Sequence, residues 1–441
     1  MTLDLQRFYK AFNPTNTLSD SDNEQQYQLD YSPVRGARVM GAMIERICRT
    51  PLDEATCHLL TGYIGTGKTT ELLHLKAELE QELFHVVYFD AREDLDLADV
   101  DVATLMLAIA HHVSQSLEAL NTNLSSRFCN HLLSVVSQLP ETSATSSGLS
   151  KLIPALKNSF KLRNHLRQVL ATRSYNLVEA MNEELLAPAR AFLNSQGKKG
   201  LVVIVDGLDR LDSPRNVWGC HQYENLFIEQ AHQLRQLNCH TIYTFPLGLI
   251  FSEEYATLKQ HFGVTPILLP MIPVQHRDGS DCKQGMALLR QMVLVRAFPD
   301  IKPEERLNLI TEIFDSRETL DRLCGISGGN VRTLQGMLYR CLKEEEPPLS
   351  RNSVEAVIRE SRNGLVVAVD DHEWELLMRV AQEHCLTEET ADRILQRSQF
   401  VLEYEDDQGR WYNVNPLLLE TEKFLAIASG TTRRAIAPFN P

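Results

Sequence analysis

Residues 62–70 read Gly62-Tyr63-Ile64-Gly65-Thr66-Gly67-Lys68-Thr69-Thr70, the pattern G-x-x-x-x-G-K-T. It follows a short apolar run, Leu59-Leu60-Thr61, and precedes a helical one, Glu71–Lys76, so it has the strand-loop-helix context that a phosphate-binding loop needs. Each residue type has a task. Gly62, Gly65 and Gly67 permit backbone conformations and approaches that a Cβ would block. Main-chain N–H groups from Tyr63 to Thr70 and the dipole of the following helix form an anion cradle. Lys68 supplies a cation for the β- and γ-phosphates, and Thr69 a hydroxyl for Mg²⁺.

A second carboxylate-bearing motif lies 138 residues beyond Lys68. Leu201-Val202-Val203-Ile204-Val205-Asp206 is an apolar strand ending in an acid, followed by Gly207-Leu208-Asp209-Arg210. Alone such a strand says little. After a phosphate loop, Asp206 is placed to hold Mg²⁺ through water, and Asp209 to orient or polarise the attacking water. Further apolar runs at His85–Asp90, Thr241–Pro246 and Thr265–Pro270 alternate with helical patterns, including about Glu224–Leu237 and Glu253–His261. The alternation predicts a parallel sheet covered on both faces, with ligands at the carboxyl ends of its strands. Thr244 sits near one such end. Either it contacts the γ-phosphate or its water, or it is a β-favouring filler.

The chain has 441 residues and a net charge of −14, which opposes non-specific nucleic-acid binding by the protein as a whole. Nine cysteines occur singly with no C-x-x-C pair, pointing to reduced thiols in a cytoplasmic protein. The N-terminus lacks a basic-then-apolar leader pattern, and no run approaches the roughly 18 apolar residues of a membrane span. Residues 1–30 read as a mobile polar arm with a short helix at Asp4–Ala11. Residues 31–275 read as the core, with a long helical insertion at about 102–196. Helices fill 276–346, and Glu344–Pro348 reads as a linker. Residues 349–425 carry three helices, the third near 387–398, and a hairpin, and 426–441 a flexible tail. Asp94, Asp96, Asp99 and Asp101 form an acidic turn expected to be solvated, and His111-His112 is read as a helix-surface pair rather than a metal site. Lys151–Arg173 holds six cations and no acid, so it is either a DNA, RNA or acidic-partner surface or a solvated helix face.

Together the loop at 62–69, the strand ending Asp206-Gly207-Leu208-Asp209-Arg210, the turn Gly328-Gly329-Asn330-Val331-Arg332 and the C-terminal helices and hairpin resemble AAA+ P-loop ATPases. Within them they resemble the branch shared by origin-recognition and STAND (NACHT-like) ATPases. The resemblance implies an α/β parallel-sheet P-loop NTPase core with helical insertion, helical lid and C-terminal winged-helix domain. It implies Mg²⁺ and ATP between core and lid, with Lys68 and Thr69 on phosphate and metal and Asp206 as the Walker B metal residue. Asp209 is tied to hydrolysis, Thr244 falls near sensor 1, and Arg332 is the sensor 2 arginine. Tyr31, Val34 and Arg35 fall near an adenine-side segment, or form an ordinary turn. The activity implied is slow hydrolysis of ATP to ADP and phosphate in a nucleotide-dependent switch, forming a homo-oligomer and acting on a separate effector protein, by analogy in bacterial antiphage defence. A DNA-binding initiator or transposition regulator and a non-hydrolysing ATP-bound scaffold are the other readings. Residues 349–441 carry a net charge of −6, which favours a protein contact over DNA for the expected winged helix. Two departures stand out. Arg210 occupies a position where many relatives have a second acid, and the segment 253–261 has no arginine to serve as a finger, leaving Arg210, Arg215, Arg290 or Arg296 as substitutes.

Overall fold

Unbroken runs of Val, Ile, Leu and Phe bounded by turns form strands buried on both faces. In the computed structural model these are β1 (Cys57–Gly62), β2 (Phe84–Asp90), β3 (Gly200–Asp206), β4 (His240–Thr244) and β5 (Ile267–Leu269). They make one five-stranded parallel sheet in the order β2-β3-β4-β1-β5. Register is set by pairs such as Val87↔Val203, Val203↔Thr241 and Leu59↔Tyr243. The residues described are 3–13, 29, 32–35, 38–120, 126–136, 148–172, 176–211, 222–387 and 399–435. The main helices among them are α1 (Leu5–Phe12), α2 (Lys68–Gln81), α3 (Val102–Glu118), α4 (Gly148–Asn158), α5 (Phe160–Thr172), α6 (Lys283–Ala297), α7 (Arg317–Ile326), α8 (Val331–Glu344), α9 (Arg351–Val366), α10 (Asp371–Glu383) and α11 (Glu422–Ala435). The fold is the α/β P-loop NTPase fold expected above.

The chain forms two compact units. A sheet unit comprises Met40–Thr61 and Glu71–Leu268. A helical unit comprises Met1–Val39, Gly62–Thr70 and Leu269–Pro441, so it includes the phosphate loop.

In the sheet unit, β-strand residues such as Val203, Val205 and Tyr243 share one core with α3 and the helices of the insertion. Asp101 caps α3 in a capping box with Thr104. The acidic turn departs from the solvated expectation. Arg163 of α5 is almost fully buried, its side chain 4% exposed, and reaches Asp96 at 2.8 Å and Asp99 at 2.7 Å. Arg167 bonds Asp99 at 2.9 Å and also pairs with Asp101. Lys157 donates to the carbonyls of Arg92 and Glu93 at 2.7 and 2.6 Å. Lys157, Arg163 and Arg167 of the basic stretch are thus spent on this chain's own acids and carbonyls. Arg173 lies outside the described residues. His112 pairs with Asp94 at 2.5 Å and stacks on Phe89. The helix expected at about Glu224–Leu237 is broken. A π-helical stretch, Asn225–Glu229, meets a short helix, Ala231–Arg235, through Gln230.

The helical unit begins with a correction to the mobile arm. Phe8 and Phe12, one turn apart on α1, are buried in the core of α6, α7 and α8, edge to face at 5.1 Å. Residues 14–28 of the arm lie outside the described residues. The expected linker leads into a clasp: the Leu349 N–H donates to Ile313 O at 2.7 Å, and its carbonyl accepts from Asp315 N–H at 2.9 Å. Val354, Val357 and Ile358 of α9 then join the same core. Beyond it, α10, α11 and the antiparallel hairpin β6 (Val401–Asp406) and β7 (Gly409–Val414) pack around Trp374. The third helix expected near 387–398 lies outside the described residues apart from Thr387. α11 runs through Ala435, where a flexible tail from 426 was expected.

Candidate functional site

In the helical unit the phosphate loop leaves β1 and enters α2 at Lys68, as the motif requires. Gly65 and Gly67 have φ of +91° and +92°, a region that side chains disfavour. Lys68 is buried, and its Nζ donates to the carbonyls of Gly62 and Tyr63 at 2.8 and 3.0 Å. Thr66 closes the turn with its N–H to Tyr63 O at 3.3 Å. Arg35, also buried, donates to Thr66 O, while Val34 enters the core. Tyr31 lies outside the described residues.

The turn Ser327–Asn330 stands directly on this loop. Asn330 Nδ2 donates to Ile64 O at 2.9 Å, while its Oδ1 accepts the Thr333 N–H at 3.0 Å as the cap of α8. The Arg332 N–H donates to Gly65 O at 3.3 Å. A Cβ on Gly65 would overlap Asn330 Oδ1 and come 2.7 Å from Arg332 Cβ; one on Gly329 would overlap the Ile272 carbonyl oxygen. On its far side, Gly328 O accepts the Tyr404 hydroxyl at 2.8 Å, and Leu402 fills the space of an absent side chain. A continuous set of contacts therefore runs from Gly65 through the turn to β6. Tyr63 of the loop is fully buried, and burial first, then Glu403 and Tyr412, holds its hydroxyl protonated. Glu403 is 1% exposed, and burial pushes its carboxyl up to about 7 against the pull of Arg410.

The sheet unit carries the carboxylates. Asp206, 2% exposed, accepts the Gly207 N–H at 2.7 Å on Oδ1 and the Tyr88 hydroxyl at 3.1 Å on Oδ2. Burial, followed by Asp206, raises the Tyr88 phenol far above its ordinary value. A carboxylate can accept at several lone pairs, so these two neutral donors are compatible with a metal-bound water. Asp209 is half-buried on the one-turn helix Leu208–Arg210. Thr244 Oγ1 accepts the Leu208 N–H at 3.0 Å and lies 3.4 Å from Val205 O, so it holds the turn that carries Asp209. Asp90, in register with Asp206, is gripped by Arg92, whose Nε lies 2.9 and 2.8 Å from its two oxygens. Sequence reasoning missed Arg92. Its only signal is an arginine two positions after an acid that ends a strand.

Of the arginines considered as fingers, Arg290 pairs with Asp321, and Arg296 is buried, bonding Met292 O at 2.9 Å and lying over Phe12. Both have structural employment in the helical unit. Arg210 is half-buried beside Asp209, and Arg215 lies outside the described residues.

Residues 38–218 match the KAP family P-loop domain. The chain therefore carries a P-loop NTPase domain, and the match takes in both the loop at 62–70 and the strand ending at Asp206. No curated protein matches the chain. Among solved structures, Cdc6p from Pyrobaculum aerophilum is similar at 13% identity over 97% of this chain and 98% of its own, with a TM-score of 0.37. The Aeropyrum pernix ORC2 protein in ADPNP-ADP complexes is 13% identical over 99% and 100%, TM-score 0.40. Drosophila ORC bound to DNA is 10% identical over 97% and 92%, TM-score 0.36. Among the described residues no helix is long and apolar enough to cross a membrane.

The P-loop residues fit a phosphate. Two glycines at positive φ open the cradle, and the first turn of α2, whose N–H groups have no intrahelical acceptor, faces it. Lys68 and the loop N–H groups would hold phosphate oxygens, and Thr69 would offer its hydroxyl to Mg²⁺, which would neutralise charge developing on the transferred phosphoryl; in the sheet unit, Asp206 is a carboxylate of the kind that holds a metal-bound water.

Proposed function

We propose that the protein is a Mg²⁺–ATP-binding switch that hydrolyses ATP slowly and signals through its C-terminal helices and hairpin to a partner protein. Gly62, Gly65, Thr66, Gly67, Lys68, Thr69 and Thr70 take the phosphates. Thr69 and Asp206 hold Mg²⁺, Asp209 orients the attacking water, Thr244 positions the Asp209 turn, and Arg332 reads the γ-phosphate. The observation that carries this reading is the seating of α8 on the phosphate loop. Asn330 and Arg332 bond the carbonyls of Ile64 and Gly65, the same peptides whose neighbours would bind phosphate. A phosphate that fixes these peptides also fixes the start of α8, and with it Gly328 and Tyr404. Slow turnover is consistent with a helix at 255–262 that offers Lys259 and His261 but no arginine.

Binding of a fluorescent ATP analogue and steady-state turnover, measured for the wild type and Lys68→Ala with and without duplex DNA, test this. The expected result is micromolar binding, turnover below about 1 s⁻¹ that ignores DNA, and loss of binding by at least a hundredfold in the variant. DNA-stimulated turnover would instead establish a DNA-regulated ATPase, and binding without turnover a scaffold. Absence of nucleotide binding by the wild type would refute the reading.

A further inference from the structure

Arg92 has no part in the chemistry above, yet it grips Asp90, the carboxylate in register with Asp206. Its Nε contacts both oxygens of Asp90 at 2.9 and 2.8 Å, and its backbone N–H bonds the same Oδ1 at 2.9 Å. Register places Asp90 beside Asp206. Gly207, whose N–H bonds Asp206 Oδ1, is where the three residues converge: a Cβ there would overlap Asp90 Oδ1 and stand 3.2 Å from Arg92 Cγ. The hydrogen bond to Asp90 raises the guanidinium pKa, and the fields of Asp90, Asp206 and Asp209 add to it. Lys157 pins the main chain at Arg92 from the insertion helix α4.

Carboxylates gathered at strand ends repel one another and need a counter-ion. A guanidinium forked on Asp90 is one; a divalent cation held by Asp206 is another. The two cations repel at close range in a partly desolvated site. We propose that Arg92 is a positioning residue, the built-in counter-ion of Asp90, Asp206 and Asp209, and that it competes electrostatically with the divalent cation held by Asp206. This rests on the Mg²⁺–ATP reading above. The guanidinium offsets part of the carboxylates' charge before metal arrives. It also makes metal binding depend on the extra negative charge that a nucleotide brings, so bare Mg²⁺ is a poor ligand.

The test is a Mg²⁺ titration of fluorescent ATP-analogue binding by the full-length protein, with thermal unfolding of the nucleotide-free protein alongside. In Arg92→Gln the half-saturating Mg²⁺ concentration should fall about tenfold, and added Mg²⁺ alone should raise the unfolding temperature, whereas in the wild type it should not. In Asp90→Asn the guanidinium loses its fork and turns to Asp206 and Asp209, so the half-saturating Mg²⁺ should rise. Shifts of opposite sign are not what general loss of packing produces. If Arg92→Gln fails to fold, Asp90→Asn carries the test. An unchanged or raised Mg²⁺ requirement in Arg92→Gln, or an unchanged or lowered one in Asp90→Asn, overturns the proposal while nucleotide binding by the wild type leaves the switch reading standing. A wild type that binds no nucleotide at any Mg²⁺ concentration overturns both.

Discussion

The phosphate loop in the helical unit and the acid-arginine clasp in the sheet unit are both dense with contacts, but different forces hold them. Around the loop the acceptors are main-chain carbonyls, bonded by Lys68, Arg35, the Asn330 amide and backbone N–H groups, and approach is limited by glycines: Gly65 against Asn330, Gly329 against Ile272. Around the acidic turn, long arginine side chains of α5 reach carboxylates 64 to 68 residues away in sequence. The first kind of contact is stiff, because no rotamer relieves a Cβ pressed on a carbonyl. The second is adjustable, since guanidinium and carboxylate can be exchanged as a set. On the switch reading proposed above, stiffness suits a segment that reports whether a phosphate is present. Adjustability suits a brace.

The largest expected effect breaks the stiff side. Gly329→Ala places a Cβ on the Ile272 carbonyl at a φ of +77°. Both penalties act at once, so the helical unit should lose about 4 kcal/mol, and nucleotide affinity with it. Urea unfolding followed beside fluorescent-nucleotide binding measures both; a loss under 1 kcal/mol would mean the turn can shift.

Next comes the clasp. Arg163→Ala leaves Asp96 and Asp99 without their guanidinium and should cost about 2–3 kcal/mol, the lower side of a buried pair because both acids keep some exposure. Nucleotide affinity should not change. The sharper form is Arg163→Met combined with Asp96→Asn and Asp99→Asn, which should recover most of the loss, as an exchangeable brace requires and as no second change could do at Gly329. Failure of the triple variant to recover would remove the contrast.

A third prediction concerns Glu403 of β6. Its carboxyl is pushed to about 7 by burial, above the roughly 4.3 of an unfolded glutamate. Between those values the folded protein holds the proton and the unfolded chain does not. The stabilisation is therefore complete below about pH 4.3, is lost as pH rises to about 7, and is absent above. About 2 kcal/mol should disappear between pH 5 and pH 8, and Glu403→Gln should abolish that slope. Urea midpoints at the two pH values for both proteins decide it.

What the sequence revealed follows the same division. The loop, β2, β3 and β4 and the turn before Arg332 were legible because local pattern dictates them: glycine spacing, apolar runs, an Asn before a helix. The pairing of Arg163 and Arg167 with Asp96, Asp99 and Asp101 was not. Charges counted along a chain have signs but no partners, and the acidic turn read as solvated for that reason. Arg92 was invisible in the same way, since its meaning depends on β2 and β3 ending level. Phe8 and Phe12 looked like part of a polar arm, because two aromatics one turn apart are too little pattern to specify burial. Thr244 was legible as a residue at a strand end, but its bond to the Leu208 N–H belongs to the fold.

The smallest effect on stability is the most specific test of the stiff side. Asn330 does two things at once: Oδ1 caps α8 through Thr333, and Nδ2 bonds Ile64 O. Asn330→Asp keeps the first, since aspartate caps as well as asparagine, and an acid suits a helix N-terminus. It abolishes the second, because a carboxylate cannot donate to a carbonyl. Global stability should therefore change by about 1 kcal/mol or less, whereas the lid-to-loop coupling should go. Amide hydrogen exchange at 331–334 reads this directly. In the wild type, saturating ATP analogue should slow exchange there; in Asn330→Asp the rates with and without nucleotide should coincide, although the analogue still binds. If nucleotide slows those amides equally in both proteins, the Ile64–Asn330 bond is ordinary packing, and the signal from the loop travels by another route.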